Sequence, residues 1–149
     1  MHQTYMQKAI ELAAQAAAET EVPVGAVVVK NGEVIGYGRN RRECGKNALA
    51  HAEIEAIDMA CKTLGGWRLN GCDLYVTLEP CPMCAGAIIN ARIEHVYIGT
   101  ADPKAGCCGS VTNLFSMPFN HKPTCTYGVC GEECSAQLKE FFRVLRQKK

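Results

Sequence analysis

Apolar side chains recur at near-helical spacing over residues 3–19, with Met6, Ile10, Ala13 and Ala17 in an Ala-rich stretch, which predicts a first helix. Pro23 lies just beyond and discourages its continuation. Val24 to Val29 is a β-branched run that predicts a buried strand, and Asn31-Gly32 predicts a tight hairpin into a return strand beginning at Val34-Ile35. Asn40 to Ala50 is polar, basic and irregular, hence a loop. The helical period resumes from His51 to Leu64 and is closed by Gly65-Gly66. Leu74 to Leu78 alternates like a half-buried strand. Pro82 suits the first turn of a helix running to about Ala91, where its missing N–H costs little. His95 to Ile98 predicts a strand, Asp102 to Ser110 a glycine-rich loop, Thr124 to Val129 a last strand and Glu132 to Leu145 a last helix. Strands interleaved with helices make this an α/β sandwich around a mixed sheet, and strand–helix–strand over 74–98 implies a parallel crossover.

Composition narrows the class. A chain of 149 residues, 48% hydrophobic and 21% charged, reads as one soluble globular domain over 1–149. No apolar run approaches the ~20 residues needed to span a bilayer, and Met1 to Thr20 lacks the apolar core of a secretory signal. The expectation is a cytoplasmic protein with no membrane partner. Ten cysteines in a reducing compartment argue for buried thiols rather than disulfides, so metal binding has to be read from spacing. The net charge of +1 announces no nucleic-acid binder. Two local clusters are basic, however: Arg39, Arg41, Arg42 and Lys46, and the stretch from Lys139 onward with five basic residues and one acidic. Taken alone both read first as solvated faces, and they still allow a local phosphate-contact surface.

Two segments carry chemistry: Ala50-His51-Ala52-Glu53 and Pro80-Cys81-Pro82-Met83-Cys84. Together they spell H-x-E…P-C-x-x-C, the signature of the zinc nucleobase deaminases. Cys81 and Cys84, three apart, share a helix face. Pro82 puts them at a helix start, where the dipole and free N–H groups favour thiolate. His51, Cys81 and Cys84 are therefore candidate zinc ligands. Three protein ligands leave the fourth tetrahedral position open, the mark of a catalytic site, and zinc lowers the pKa of water there to about 7. Glu53 is the acidic residue the motif places to carry protons. Positions i and i+2 of a regular helix diverge, so His51 and Glu53 can face one ion only at the very start of the helix. Alone, C-x-x-C would equally suit a redox pair or a structural zinc knot. A non-catalytic zinc subunit is the rival from another class, but it would have no need of Glu53 and would more often close with a fourth Cys or His.

Over about Tyr5 to Arg146 the chain resembles the bacterial tRNA-specific adenosine deaminases of the cytidine deaminase-like superfamily. The likeness is carried by Glu21-Val22-Pro23-Val24-Gly25-Ala26, Ala50-His51-Ala52-Glu53, Thr77-Leu78-Glu79-Pro80-Cys81, Met83-Cys84-Ala85-Gly86-Ala87, Asn120-His121 and Phe141-Phe142-Arg143. The resemblance implies a three-layer α/β/α sandwich with a five-stranded mixed sheet, a homodimer with one zinc ion per subunit, and hydrolytic deamination of adenosine to inosine. The expected substrate is the wobble position of a tRNA anticodon stem-loop. It also implies that Asn40, Val22, Pro23, Asp102, Phe142 and Arg143 contact the substrate. Four of them have a plain structural reading as well: Asn40 as a turn residue, Pro23 as a helix stop, Asp102 as a turn initiator, and Phe142, with Phe141, as core. The alternative activity is deamination of a free base or nucleotide such as guanine, cytosine or a cytidine nucleotide. Where the family usually has Asp-Pro-Thr before the His motif, this chain has Asn47-Ala48-Leu49. Glu79 receives a structural reading, and Cys44, Cys61, Cys72, Cys107, Cys108, Cys125, Cys130 and Cys134 are taken as buried thiols, their spacing matching no zinc pattern.

Overall fold

A computed structural model describes residues 1–148; Lys149 lies outside them. The order is α1 (His2–Ala18), β1 (Gly25–Lys30), β2 (Glu33–Arg39), α2 (Ala52–Leu64), β3 (Cys72–Leu78), α3 (Pro82–Ala91), β4 (His95–Thr100), a single 3₁₀ turn (Leu114–Ser116), β5 (Thr124–Tyr127) and α4 (Gly131–Gln147). Five strands form one sheet in the order β2-β1-β3-β4-β5. β1 is antiparallel to both neighbours, and β3, β4 and β5 run parallel, so the sheet is mixed as expected. The hairpin turn takes the left-handed conformations that Asn-Gly supports, φ 51° at Asn31 and 79° at Gly32.

Side chains alternate across the sheet and build two cores. Ala26, Val28, Leu74, Val76, Val96 and Ile98 face α2 and α3, meeting Ala56, Ala60, Ala85 and Ile88. Val27, Val29 and Tyr75 face the other way, meeting Met6, Ala9 and Leu12 of α1 and Cys134 of α4. Each fully buried aliphatic side chain contributes roughly 1.5–3 kcal/mol. Helices on both faces leave no wet side for the central strands. The alternation expected for Leu74 to Leu78 is therefore absent: Leu74, Tyr75, Val76 and Thr77 are all buried. Strand β3 also starts earlier, at Cys72, and β5 stops at Tyr127, short of Val129.

Two glycines bring β2 hard against α2. A Cβ at Gly36 or Gly38 would collide with the carbonyl oxygen of Ala56 or Ala52. This close approach places the start of α2 beside the start of β1 and the end of β3. Because β3 runs directly into α3, the starts of both helices meet at the carboxyl end of the parallel strands, the usual place for a site in an open α/β sheet.

Candidate active site

His51 and Cys81 are each the residue just before a helix, in extended conformation: φ −86°, ψ 152° at His51 and φ −75°, ψ 176° at Cys81. Pro82 occupies the first turn of α3, and Cys84 follows inside it. Cys81 is thus a cap rather than a helical residue, which corrects the shared-face expectation. The extended backbone at His51 resolves the i, i+2 problem, since only Glu53 of the pair is helical. Nδ1 of His51 lies 3.6 Å from Sγ of Cys81 and 3.4 Å from Sγ of Cys84. The three ligand atoms lie within 4.8 Å of one another, and among the described residues no other group of His, Cys, Asp and Glu converges in this way.

The charges are coupled. A hydrogen bond from Cys84 holds the Cys81 thiol down to about 4, with His51 assisting. The same contact, together with burial, raises Cys84. His51 is raised by its bond to Cys81. Glu53 is buried, and burial pushes its carboxyl up to about 7, with the Cys81 thiolate adding to the effect. This is a set of donors that can hold a metal ion beside a carboxyl able to exchange a proton near neutral pH.

A cavity of about 220 Å³ opens over this group, with His51, Glu53 and Cys81 in its lining. Val22 and Val24 contribute from the segment leading into β1, Asn40 and Arg42 from the segment after β2, Leu78 and Glu79 from the end of β3, and Asp102 and Ala105 from the loop after β4. The volume is below the ~300–1,000 Å³ usual for drug-sized ligands and suits one base. A larger depression of about 550 Å³ between β2 and α2 holds none of the ligating residues, so size does not find the site.

The structure treats the expected contact residues unequally. Asn40 is buried, lines the cavity, and its Oδ1 accepts the Ala52 N–H at 3.0 Å, tying the cavity wall to the first turn of α2. It is more than a turn residue. Val22 and Asp102 also line the cavity, whereas Pro23 is fully buried and backs the wall without facing it. Phe142 is 40% exposed, not core, and borders two depressions that share Val22, Asp102 and Arg42 with the cavity rim. Arg143 lines none of the described cavities; it is exposed and pairs with Glu140 at 2.6 Å. Of the basic cluster at and after the end of β2, Arg39 pairs with Glu19, Arg41 pairs with Glu55, and Arg42 lines the cavity.

Asn47, in the divergent Asn47-Ala48-Leu49 stretch, accepts the Leu49 N–H through its own side chain at 2.9 Å, and the resulting turn delivers Ala50 and His51 to the helix start. Leu49 itself is exposed. The thiols Cys72, Cys107, Cys108 and Cys134 are buried as expected; Cys61, Cys125 and Cys130 are half-buried, and Cys44 is exposed because the 40–47 loop stands off the core.

Two further carboxylates are buried: Glu79, which has the structural role expected of it, and Glu21, which escaped assignment from sequence. Glu21 accepts the N–H groups of Glu43 at 3.1 Å and Cys44 at 2.7 Å. Glu79 accepts the N–H groups of Asp102, Cys108 and Ser110 at 3.0–3.1 Å and the Ser110 hydroxyl. Burial pushes both carboxyls up, but these hydrogen bonds outweigh it and hold both below the ordinary carboxylate value. The signal available in sequence was a lone Glu in each of two apolar motifs.

Comparison with known proteins agrees with this geometry. The profile of the MafB19-like deaminase family matches residues 1–146. The chain is 53% identical over 146 residues to the tRNA-specific adenosine deaminase of Bacillus subtilis, covering 97% of this chain and 91% of that protein. A solved structure from a study of A-to-I editing by tRNA:A34 deaminases at the wobble position of transfer RNA matches with a TM-score of 0.88 and 46% identity, over 91% of this chain and 99% of the other. The guanine deaminase of Bacillus subtilis matches less well, with a TM-score of 0.67 and 36% identity over 81% of this chain and 85% of that one. The chain belongs to the MafB19-like deaminase family and to the tRNA-specific adenosine deaminases.

Proposed function

We propose that the chain hydrolyses the exocyclic amine of adenosine at the wobble position of a tRNA anticodon, giving inosine and ammonia. The observation that carries this reading is the buried Glu53 beside the His51–Cys81–Cys84 group, under a cavity sized for one base, in a chain 53% identical to a tRNA-specific adenosine deaminase. The metal is zinc. Tetrahedral zinc with Zn–S of ~2.3 Å and Zn–N of ~2.0–2.1 Å separates nitrogen from sulfur by about 3.6 Å, and the observed separations are 3.6 and 3.4 Å. Nδ1 of His51 and the two thiolates would hold one ion per subunit, and its Lewis acidity makes water a nucleophile at neutral pH.

Glu53 does the proton work. Its carboxylate takes a proton from the attacking water and passes it to the ring nitrogen next to the reacting carbon. It then takes the second proton of that water and delivers it to the departing amine. The overall change is C–NH₂ plus H₂O to C=O plus NH₃. Burial serves this task by bringing the carboxyl to about 7, between its two states at working pH. A wobble base has to leave its stack to reach the cavity. Phe142 at the rim offers a face for a neighbouring base, and Lys104, Lys139 and Arg146 line a depression that Phe142 also borders, a place for phosphate. Val22, Asn40 and Asp102 contact the flipped nucleotide or its neighbour, Pro23 supports Val22, and Arg143 reaches only the outer RNA.

The likeness extends the reading to a cytoplasmic homodimer. No described helix is long and apolar enough to cross a membrane. Sedimentation decides between one chain and two. The activity test is inosine formation in an anticodon stem-loop, with free adenosine, cytidine and guanine alongside. Inosine at the wobble position with the free compounds untouched is the expected result. An inert stem-loop with rapid turnover of a free base would assign the same cavity to the alternative, a free-base deaminase.

A further inference from the structure

We infer that Glu21 and Glu79 are positioning residues, each a buried carboxylate that fastens one of the two loops walling the cavity and so governs substrate binding separately from the chemistry. The inference rests on the deaminase reading of the site. Both side chains are almost sealed, with 2% and 3% of their surface exposed, and among the described residues neither is ion-paired. Their charge is met by loop donors instead. Glu21 takes two backbone N–H groups of the 40–47 loop, which presents Arg42 to the cavity. Glu79 takes three backbone N–H groups and one hydroxyl of the 102–110 loop, which presents Asp102 and Ala105.

Charge-assisted hydrogen bonds of this kind are the stronger ones, and here they order segments whose composition favours mobility. The second loop is built around its anchor: a Cβ at Gly106 would collide with the Glu79 carboxyl group. Although Glu79 borders the cavity and stands two residues before Cys81, its two oxygens are committed to four donors. It is an anchor, and proton transfer is left to Glu53. Both anchors lie in motifs, Glu21-Val22-Pro23 and Leu78-Glu79-Pro80, whose glutamates the deamination chemistry does not use.

The test uses the zinc-loaded full-length chain and three variants: Glu21→Gln, Glu79→Gln and Gly106→Ala. Glutamine keeps the volume but turns an amide donor toward backbone donors, and the Gly106 substitution displaces the Glu79 carboxylate without altering it. Two readouts are taken: amide hydrogen exchange, and KM with kcat for inosine formation in the stem-loop. The amides of Glu43 and Cys44 should lose protection in Glu21→Gln, and those of Asp102, Cys108 and Ser110 in the other two. Zinc content should stay at one per chain, KM should rise by about tenfold or more, and kcat should stay within about threefold. Unprotected loop amides in the unmodified chain, or an unchanged KM, would overturn the inference. So would a collapse of kcat with loss of zinc, which would make the anchors part of the metal site. If Glu79→Gln fails to fold, Gly106→Ala and Ser110→Ala decide for that loop. An unmodified chain inert on the stem-loop would sink the deaminase reading instead, and amide exchange would still judge the anchors.

Discussion

The floor of the cavity and its walls are built by different means. The floor comes from two helix starts, where an extended residue and the first turn behind it carry the candidate ligands and the candidate proton carrier: His51 with Glu53, and Cys81 with Cys84. Within each helix start the spacing is settled over three or four residues of chain, and the sheet brings the two starts, 30–33 residues apart, together. The walls come from loops that hold no regular structure and are tied down by carboxylates 22–31 residues away in sequence. On the proposed reading, the floor carries the chemistry and the walls carry recognition.

The comparison predicts effects that shrink from floor to wall to surface. Cys84→Ala removes a buried ligand: metal content by atomic absorption should fall to background, activity should disappear, and the melting temperature should drop. Glu53→Ala should keep zinc and structure while kcat falls by about 10²–10⁴-fold in single-turnover assays; retained turnover would move the proton work elsewhere. Asn40→Ala deletes the acceptor for the Ala52 N–H at the start of α2. It should cost about 1 kcal/mol in urea unfolding, the usual value of a lost helix cap, and also raise KM, because one side chain serves floor and wall together. Phe142→Ala should raise KM for the stem-loop by about tenfold, as expected for one lost stacking contact. Arg143→Ala should change it by less than about twofold, since it removes only an exposed pair with Glu140.

The smallest effect concerns pH. Glu21 has its folded pKa lowered, so its anchor stabilises the fold above the ordinary value of 4.5 and that contribution is lost as pH falls through the folded pKa. Urea unfolding at pH 7, 5, 4 and 3 should therefore show Glu21→Gln losing less stability on acidification than the unmodified chain. Equal slopes would mean that the Glu21 charge contributes nothing to folding.

Much of this was legible in the residues. The helices declared themselves by periodicity and by Gly65 and Pro82, the hairpin by Asn31-Gly32, and the metal group by the spacing around His51, Cys81 and Cys84. Local errors had local causes. Leu74 to Leu78 was read as alternating because a strand covered on both faces can carry a tyrosine and a threonine among its aliphatics. Cys44 was read as buried because thiols usually are, yet its side chain is exposed on a loop that is tied down through the Cys44 backbone N–H to Glu21. Pro23 and Arg143 were named through their place in motifs, and neither lines the cavity, since a motif does not say which way a side chain faces.

By itself the sequence determined most of the elements and named the candidate ligands and proton carrier, because the spacings within His51-x-Glu53 and Cys81-x-x-Cys84 are local; that the two segments converge is a tertiary fact. Only the tertiary structure decided that Glu21 and Glu79 anchor the walls, that Asn40 joins wall to floor, and that Phe142 rather than Arg143 borders the rim. Those facts depend on contacts across tens of residues, and the path of a loop through space follows from what holds it, not from its own composition.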